Sequence, residues 1–280
     1  MNKIIYLALT LAVAVGCVKQ DYTAETLHPT KGLVTIDESK YTLKNVSGEV
    51  NHFVSGIYKD VITDMLLSPK DYVFTAYNHT SDFGSFSGVT TDVEGDVVIL
   101  LPITNGYIST TLEDIYTSRI NMYIDRDKEY LITPVPELLT RELTINVNIS
   151  DGDVDLIEAG TKGELSGLAA GWALGKDAPS GDTASAILEF TRTGNVLSTT
   201  IDILGVDTTL TQSLDVTLEY TNNNPEPYTF TFDVSDKLTN INTLNTLVID
   251  VDAVSAPTDP DVDGDISGWE PGTGGSGNAE

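Results

Sequence analysis

The sequence predicts an all-β chain: two antiparallel β-sandwich domains in tandem, with a short helix in the first. Three observations carry this. Apolar and polar residues alternate in period two over many stretches, as they do in strands with one buried and one wet face. Gly, Asn, Asp and Pro divide these stretches at short intervals, with few helical patterns between. The 280 residues, 40% of them apolar, supply more core than one small domain needs.

The clearest strands are three. Leu143, Ile145, Val147 and Ile149 alternate with Thr144, Asn146 and Asn148. Leu214, Val216, Leu218 and Tyr220 alternate with Asp215, Thr217, Glu219 and Thr221. Tyr228, Phe230, Phe232 and Val234 alternate with Thr229, Thr231, Asp233 and Ser235, and the intervening Asn222 to Pro227 makes these last two a hairpin. Further strands are expected at 32–37, 71–77, 96–103, 128–135, 184–191, 197–204 and 246–252. One segment reads differently. Phe53, Ile57, Tyr58, Val61, Ile62, Met65 and Leu66 recur at helical spacing, with Lys59, Asp60, Thr63 and Asp64 opposite, and Ser68-Pro69 ends the pattern. This predicts an amphipathic helix over 53–67 packed on a sheet. Pro134-Val135-Pro136-Glu137-Leu138-Leu139 reads as the link between halves, giving domains at 17–136 and 137–256 and an acidic, Gly-rich segment at 257–280.

Residues 1–16 are expected to be a lipoprotein signal peptide. Lys3, the apolar run Ile4–Val15 and the small Gly16 are the parts of a secretory signal, and the run is shorter than the roughly 20 residues a membrane-spanning helix needs. Ala14-Val15-Gly16-Cys17 resembles the bacterial lipobox, with cleavage between Gly16 and Cys17 and lipid on Cys17, the one cysteine in the chain. Thioether-linked diacylglycerol plus an amide-linked acyl chain such as palmitate gives stable anchoring. With no second cysteine, no internal disulfide forms and the domains hold by their cores.

Acidic residues number 42 against 15 basic, a net charge of −27. Such a field repels nucleic acid and anionic headgroups, which excludes both as partners.

Leu67 to Asn78, Thr140 to Val147, Glu164 to Ala169, Phe232 to Asp236, and Ile266 to Glu270 followed by a Gly-rich tail, taken together, resemble the Bacteroidales fimbrillin superfamily, in particular its anchor and accessory lipoproteins. Lys70 departs from the family pattern, which has glycine there. The resemblance implies two transthyretin-like sandwiches, lipid-anchored at the outer membrane and exposed on the cell surface. It also implies fimbrial subunits as partners, joined by strand exchange. Stalk members of the family lose an N-terminal strand at an arginine and carry a C-terminal donor strand. Here the first arginine is Arg119, and Gly272 to Glu280 lacks apolar alternation. The expected role is therefore anchor or accessory subunit of a fimbria, not polymerising stalk.

Side-chain chemistry is sparse. Asp259, Asp261, Asp263, Asp265 and Glu270, with Gly264 at the turn, match an EF-hand-type calcium loop. The flanking Pro257, Pro260, Gly268 and Pro271 forbid the helices such a loop needs, so a solvated acidic linker is the favoured reading; calcium is the other. No other cofactor is expected. His28, His52 and His79 read as loop residues on the surface, with no nucleophile or metal-ligand pattern near them. The chain is expected not to be an enzyme. Asp182-Thr183-Ala184 and Asp207-Thr208-Thr209 resemble bacterial O-glycosylation sites, a match that chance also produces. The rival function is a surface glycan-binding lipoprotein of a polysaccharide-utilisation system, with Trp172 and Trp269 stacking on sugar; core packing is the expected duty of Trp172.

Overall fold

The structure, a computed structural model, describes residues 29–79, 88–91, 96–151, 154–158, 161–221 and 226–255. Nine strands precede residue 134: β1 (Gly32–Ile36), β2 (Glu49–Val54), β3 (Ile57–Lys59), β4 (Met65–Leu67), β5 (Lys70–His79), β6 (Gly88–Thr91), β7 (Val97–Leu100), β8 (Tyr116–Ile124) and β9 (Glu129–Ile132). Eleven follow: β10 (Glu137–Leu138), β11 (Arg141–Asp151), β12 (Lys162–Ala169), β13 (Gly171–Ala173), β14 (Ala178–Pro179), β15 (Thr183–Glu189), β16 (Thr191–Thr193), β17 (Val196–Ile203), β18 (Ser213–Leu218), β19 (Tyr228–Asp233) and β20 (Thr246–Ser255). Two short helices, α1 (Ser39–Leu43) and α2 (Ser235–Leu238), and the 3₁₀ turns Val154–Leu156 and Ile241–Thr243 accompany them among the described residues. The chain is all-β, and among the described residues no helix is long and apolar enough to cross a membrane.

The strands stack as two sandwiches. In the first, the sheet β10-β8-β5-β2-β3 faces the sheet β4-β1-β9. Val34 and Ile36 from β1, Met65 from β4 and Ile132 from β9 meet Val54, Tyr72, Phe74 and Ile124 in one core. In the second, β16-β17-β11-β20 faces β15-β12-β18-β19. Alternation places Leu143, Ile145 and Val147 of β11, and Leu214, Val216 and Leu218 of β18, at 0% exposure in the core between them. Each such side chain contributes about 1.5–3 kcal/mol by leaving water. Pairing is antiparallel except for β1 with β9 and β11 with β20. The expected hairpin is present: β18 and β19 pair antiparallel from Ser213↔Asp233 to Leu218↔Tyr228.

The helix expected over 53–67 does not form. Ser55 and Gly56 adopt φ of 48° and 75°, and this two-residue turn folds β3 back on β2 as a hairpin. Phe53 and Tyr58 become a cross-strand pair with ring centroids 5.7 Å apart. Ile57, Tyr58 and Val61 are 63%, 50% and 65% exposed, so the apolar stripe is not a core face. The β-branched Val54, Ile57, Val61, Ile62 and Thr63 disfavour helix at this spacing. The helix of the first half is α1 instead, held by buried Tyr41, whose hydroxyl donates to the Ala76 carbonyl at 3.3 Å.

The expected boundary at 136/137 falls between β9 and β10, and hydrogen bonds cross it both ways. β10 pairs with β8 of the first sandwich. β7 pairs with β13, Trp172 opposite Ile99, in a further sheet β14-β13-β7-β6. Val97, Ile99, Leu101, Ile108, Leu112 and Ile115 join the core of the second sandwich.

Candidate functional site

The second sandwich has one closed rim and one open one. On the closed rim, residues 101–115 lie across the β15 and β17 edges as a strap. Asn105 and Gly106, at φ 54° and 90°, make a tight turn. Ile108 N–H then donates to the Ser185 carbonyl at 2.9 Å, Ser185 N–H to Gly106 at 2.9 Å, and Asp202 N–H to Thr110 at 3.0 Å. Ile108, Leu112 and Ile115 plug the gap between the sheets, and Tyr107 OH donates to Glu164 Oε2 at 3.0 Å. Backbone groups of the edge are matched and apolar surface is covered, which is how a sheet edge is protected.

The opposite rim is formed by β19 and β20, each the last strand of its sheet among the described residues. The free side of β20 follows from the register. Glu142 pairs with Thr246 in parallel, and Glu142 N–H donates to the Asn245 carbonyl at 2.8 Å. Glu142, Thr144 and Asn146 therefore direct their backbone groups at β20, and Thr246, Val248 and Asp250 direct theirs away from it. Val248 is 60% exposed. On β19, Tyr228, Phe230 and Phe232 form a ladder with successive centroid distances of 4.6 and 6.3 Å. Phe230 and Phe232 are only partly buried against the core, and Tyr228 is half exposed. Among the described residues, the rim thus combines β20 backbone groups without a partner strand and an aromatic row that nothing covers.

A second feature lies where the sandwiches meet. A cleft of about 520 Å³ is lined by β8 and β10 residues, by Arg119, Arg141, Trp172 and Asp177, and by Asn242 to Asn245. Arg141, at the start of β11, is 7% exposed. Its guanidinium carbon lies 4.2 Å from the centroid of the fully buried Trp172 ring. Nη1 donates to the carbonyls of Leu139, at 3.0 Å, and Leu204, and Nη2 donates to Asn242 at 2.8 Å. Burial lowers its pKa, while the field of Asp177 acts in the opposite direction. Asp177 accepts from Trp172 Nε1 at 3.1 Å, so ring, cation and carboxylate fix one another. Gly205, at φ 150°, permits this packing: a Cβ there would lie 2.6 Å from the Trp172 ring.

Of the residues singled out from the sequence, Gly16, Cys17, Asp259, Asp261, Asp263, Asp265 and Glu270 lie outside the described residues, as do His28 and Trp269. Trp172 is core. His52 is not a surface residue: it sits in β2 at 2% exposure, with Nε2 2.7 Å from Glu38 Oε1. Among the described residues no three His, Cys, Asp or Glu side chains are placed to hold a metal. The Arg141 cleft and the open rim were not foreseen. An arginine directly before the alternation of β11, in a chain with only four arginines, was the available signal for the first.

No protein-family model matches the chain, and no curated protein sequence matches it. Solved structures do. A candidate adhesin from Bacteroides ovatus superposes at a TM-score of 0.52 with 14% identity, over 81% of this chain and 93% of its own. The fimbrial anchor protein Mfa2 from Porphyromonas gingivalis gives 0.49 at 11% identity, over 79% and 90%. A further Bacteroides ovatus candidate adhesin gives 0.49 at 10% identity, over 80% and 88%. The resemblance read from the sequence holds at the level of fold: this chain shares the fold of the Bacteroides ovatus candidate adhesin.

Proposed function

We propose that the chain is a cell-surface adhesion protein without enzymatic activity that serves as the anchor or accessory subunit of a fimbria. It is held at the outer membrane by lipid on Cys17 and receives an extended segment of a fimbrial partner. The observation that carries this reading is the asymmetry of the second sandwich. One rim is sealed by the chain's own strap, whereas the other offers β20 backbone groups and the Tyr228–Phe230–Phe232 row. A strand laid on β20 gains main-chain hydrogen bonds for affinity and side-chain pockets for register. The fold shared with the Bacteroides ovatus candidate adhesin supports the same class of role.

The test is purification of the full chain from outer membranes, with mass spectrometry of its N-terminus and of co-purifying proteins. Acylated Cys17 together with a fimbrial subunit is the expected result. A chain trimmed between Lys31 and Lys44 and distributed along the fibre would sink the anchor reading.

A further inference from the structure

The Arg141 cleft has properties that strand acceptance does not use. A guanidinium has five N–H donors. Arg141 spends both Nη1 hydrogens and one Nη2 hydrogen on the carbonyls of Leu139, Leu204 and Asn242. Among the described residues, Nε–H and the second Nη2 hydrogen have no acceptor, and no carboxylate lies within ion-pair distance. Nε and Nη2 are the pair that a guanidinium presents side-on to a carboxylate. Nε is not sealed in protein: it lacks a partner yet is not among the fully buried unpartnered side-chain atoms of the described residues, and Arg141 lines the cleft. A cation this deep, with donors left over at the wall of the cleft, calls for an anionic ligand.

The rest of the lining narrows the class. Arg119 also lines the cleft, so two of the four arginines in a chain of net charge −27 meet there. Glu137 and Asp177 stand on the same walls beside Ser118, Thr243 and Asn245. Those carboxylates repel a simple anion or an acidic peptide, yet accept hydrogens from hydroxyls. A ligand with one carboxylate and many hydroxyls satisfies both requirements. The volume, about 520 Å³, lies within the roughly 300–1,000 Å³ of small-molecule sites. We propose that this cleft binds an acidic saccharide of the uronic-acid type, with Arg141 gripping its carboxylate and Glu137 and Asp177 accepting from its hydroxyls. The site shares no residue with β19 or β20, so it stands or falls independently of the open rim.

Trp172 stacks on Arg141 and reports on the site; Trp269 is the other tryptophan, and Trp269→Phe leaves a single tryptophan to excite selectively. In that background the full chain is titrated with digalacturonate, with the neutral disaccharide galactobiose, and with the dipeptide Asp-Asp. Saturable quenching or enhancement by digalacturonate is expected, with galactobiose and the dipeptide at least about tenfold weaker, the worth of one charge-assisted pair. Arg141→Lys should weaken digalacturonate binding by about tenfold or more. Arg119→Gln, on an exposed side chain, should weaken it about threefold with unfolding unchanged. Absence of a saturable response to digalacturonate overturns the proposal. So does equal affinity for galactobiose, or unchanged affinity in a folded Arg119→Gln protein. Tighter binding of the dipeptide overturns the saccharide assignment.

Discussion

Replacing Arg141 by methionine tests how the two sandwiches are held in register. The substitution keeps the length of the stem and removes the guanidinium. Three buried carbonyls, those of Leu139, Leu204 and Asn242, lose their donor. Each costs about 1 kcal/mol at the low end of the range for a buried acceptor left unmatched, together about 3 kcal/mol. Loss of the stacking on Trp172 adds about 1 kcal/mol. Relief from burying a cation without a carboxylate partner offsets about 1 kcal/mol. The net loss is about 3 kcal/mol, and for a chain of this size each kcal/mol moves Tm by about 2–4 °C, so a fall of about 6–12 °C is expected. Urea unfolding followed by Trp172 fluorescence and by circular dichroism measures it. Arg141→Lys should recover only about 1 kcal/mol, since an ammonium is neither planar nor forked. A loss below about 0.5 kcal/mol for the methionine variant would show that the three carbonyls are satisfied without the guanidinium, refuting the reasoning.

Burial pushes the phenols of Tyr41, Tyr77 and Tyr220 up to about 12, each from the ordinary value of 10.0. The unfolded chain therefore loses these protons first as pH rises. The stability linked to them is complete below pH 10 and falls toward pH 12, by about 1.4 kcal/mol per pH unit for each group; thermal melts between pH 9 and 12 should show the decline. Tyr220→Phe removes a buried hydroxyl that has no hydrogen-bond partner among the described residues. It should be neutral or stabilising by up to about 1 kcal/mol in urea melts, and its alkaline decline should be shallower. Gly205→Ala places a Cβ 2.6 Å from the Trp172 ring at a φ of 150°, so a loss of about 3 kcal/mol or more is expected, with a shift in Trp172 emission.

Much of the fold was legible because one face of most strands is buried. In β11 and β18 the alternation of Leu143 to Ile149 and of Leu214 to Leu218 translates directly into core positions at or near 0% exposure. Where a strand is covered on both faces, as β5 is at Tyr72, Phe74, Thr75, Ala76 and Tyr77, alternation vanishes and length with β-branched and aromatic content had to suffice. The segment 53–67 misled for a local reason. Two short strands and a two-residue turn place apolar residues at intervals that imitate a helical repeat, and only Ser55-Gly56 betrayed the turn. The strap was illegible in principle: Ile108, Leu112 and Ile115 are filled in by a sheet remote in sequence, and no local pattern records which edge they cover. The Arg141 cleft was hidden likewise, since its acceptors come from residues 139, 204 and 242.

The proposed hold on a fimbrial partner runs through the open β20 edge. Val248→Pro removes the outward N–H at its centre and leaves the Thr144 and Asn146 bonds to β20 in place, because the backbone of Val248 points away from β11. Proline is tolerated at such an edge position. The decisive measurement is recovery of fimbrial subunits with the affinity-purified full chain, parent against Val248→Pro, alongside the melting curve of each. A Tm within a few degrees of the parent and loss of most of the co-purifying subunit are expected. Equal recovery of the subunit by a normally folded Val248→Pro protein would rule out the β20 edge as the docking site.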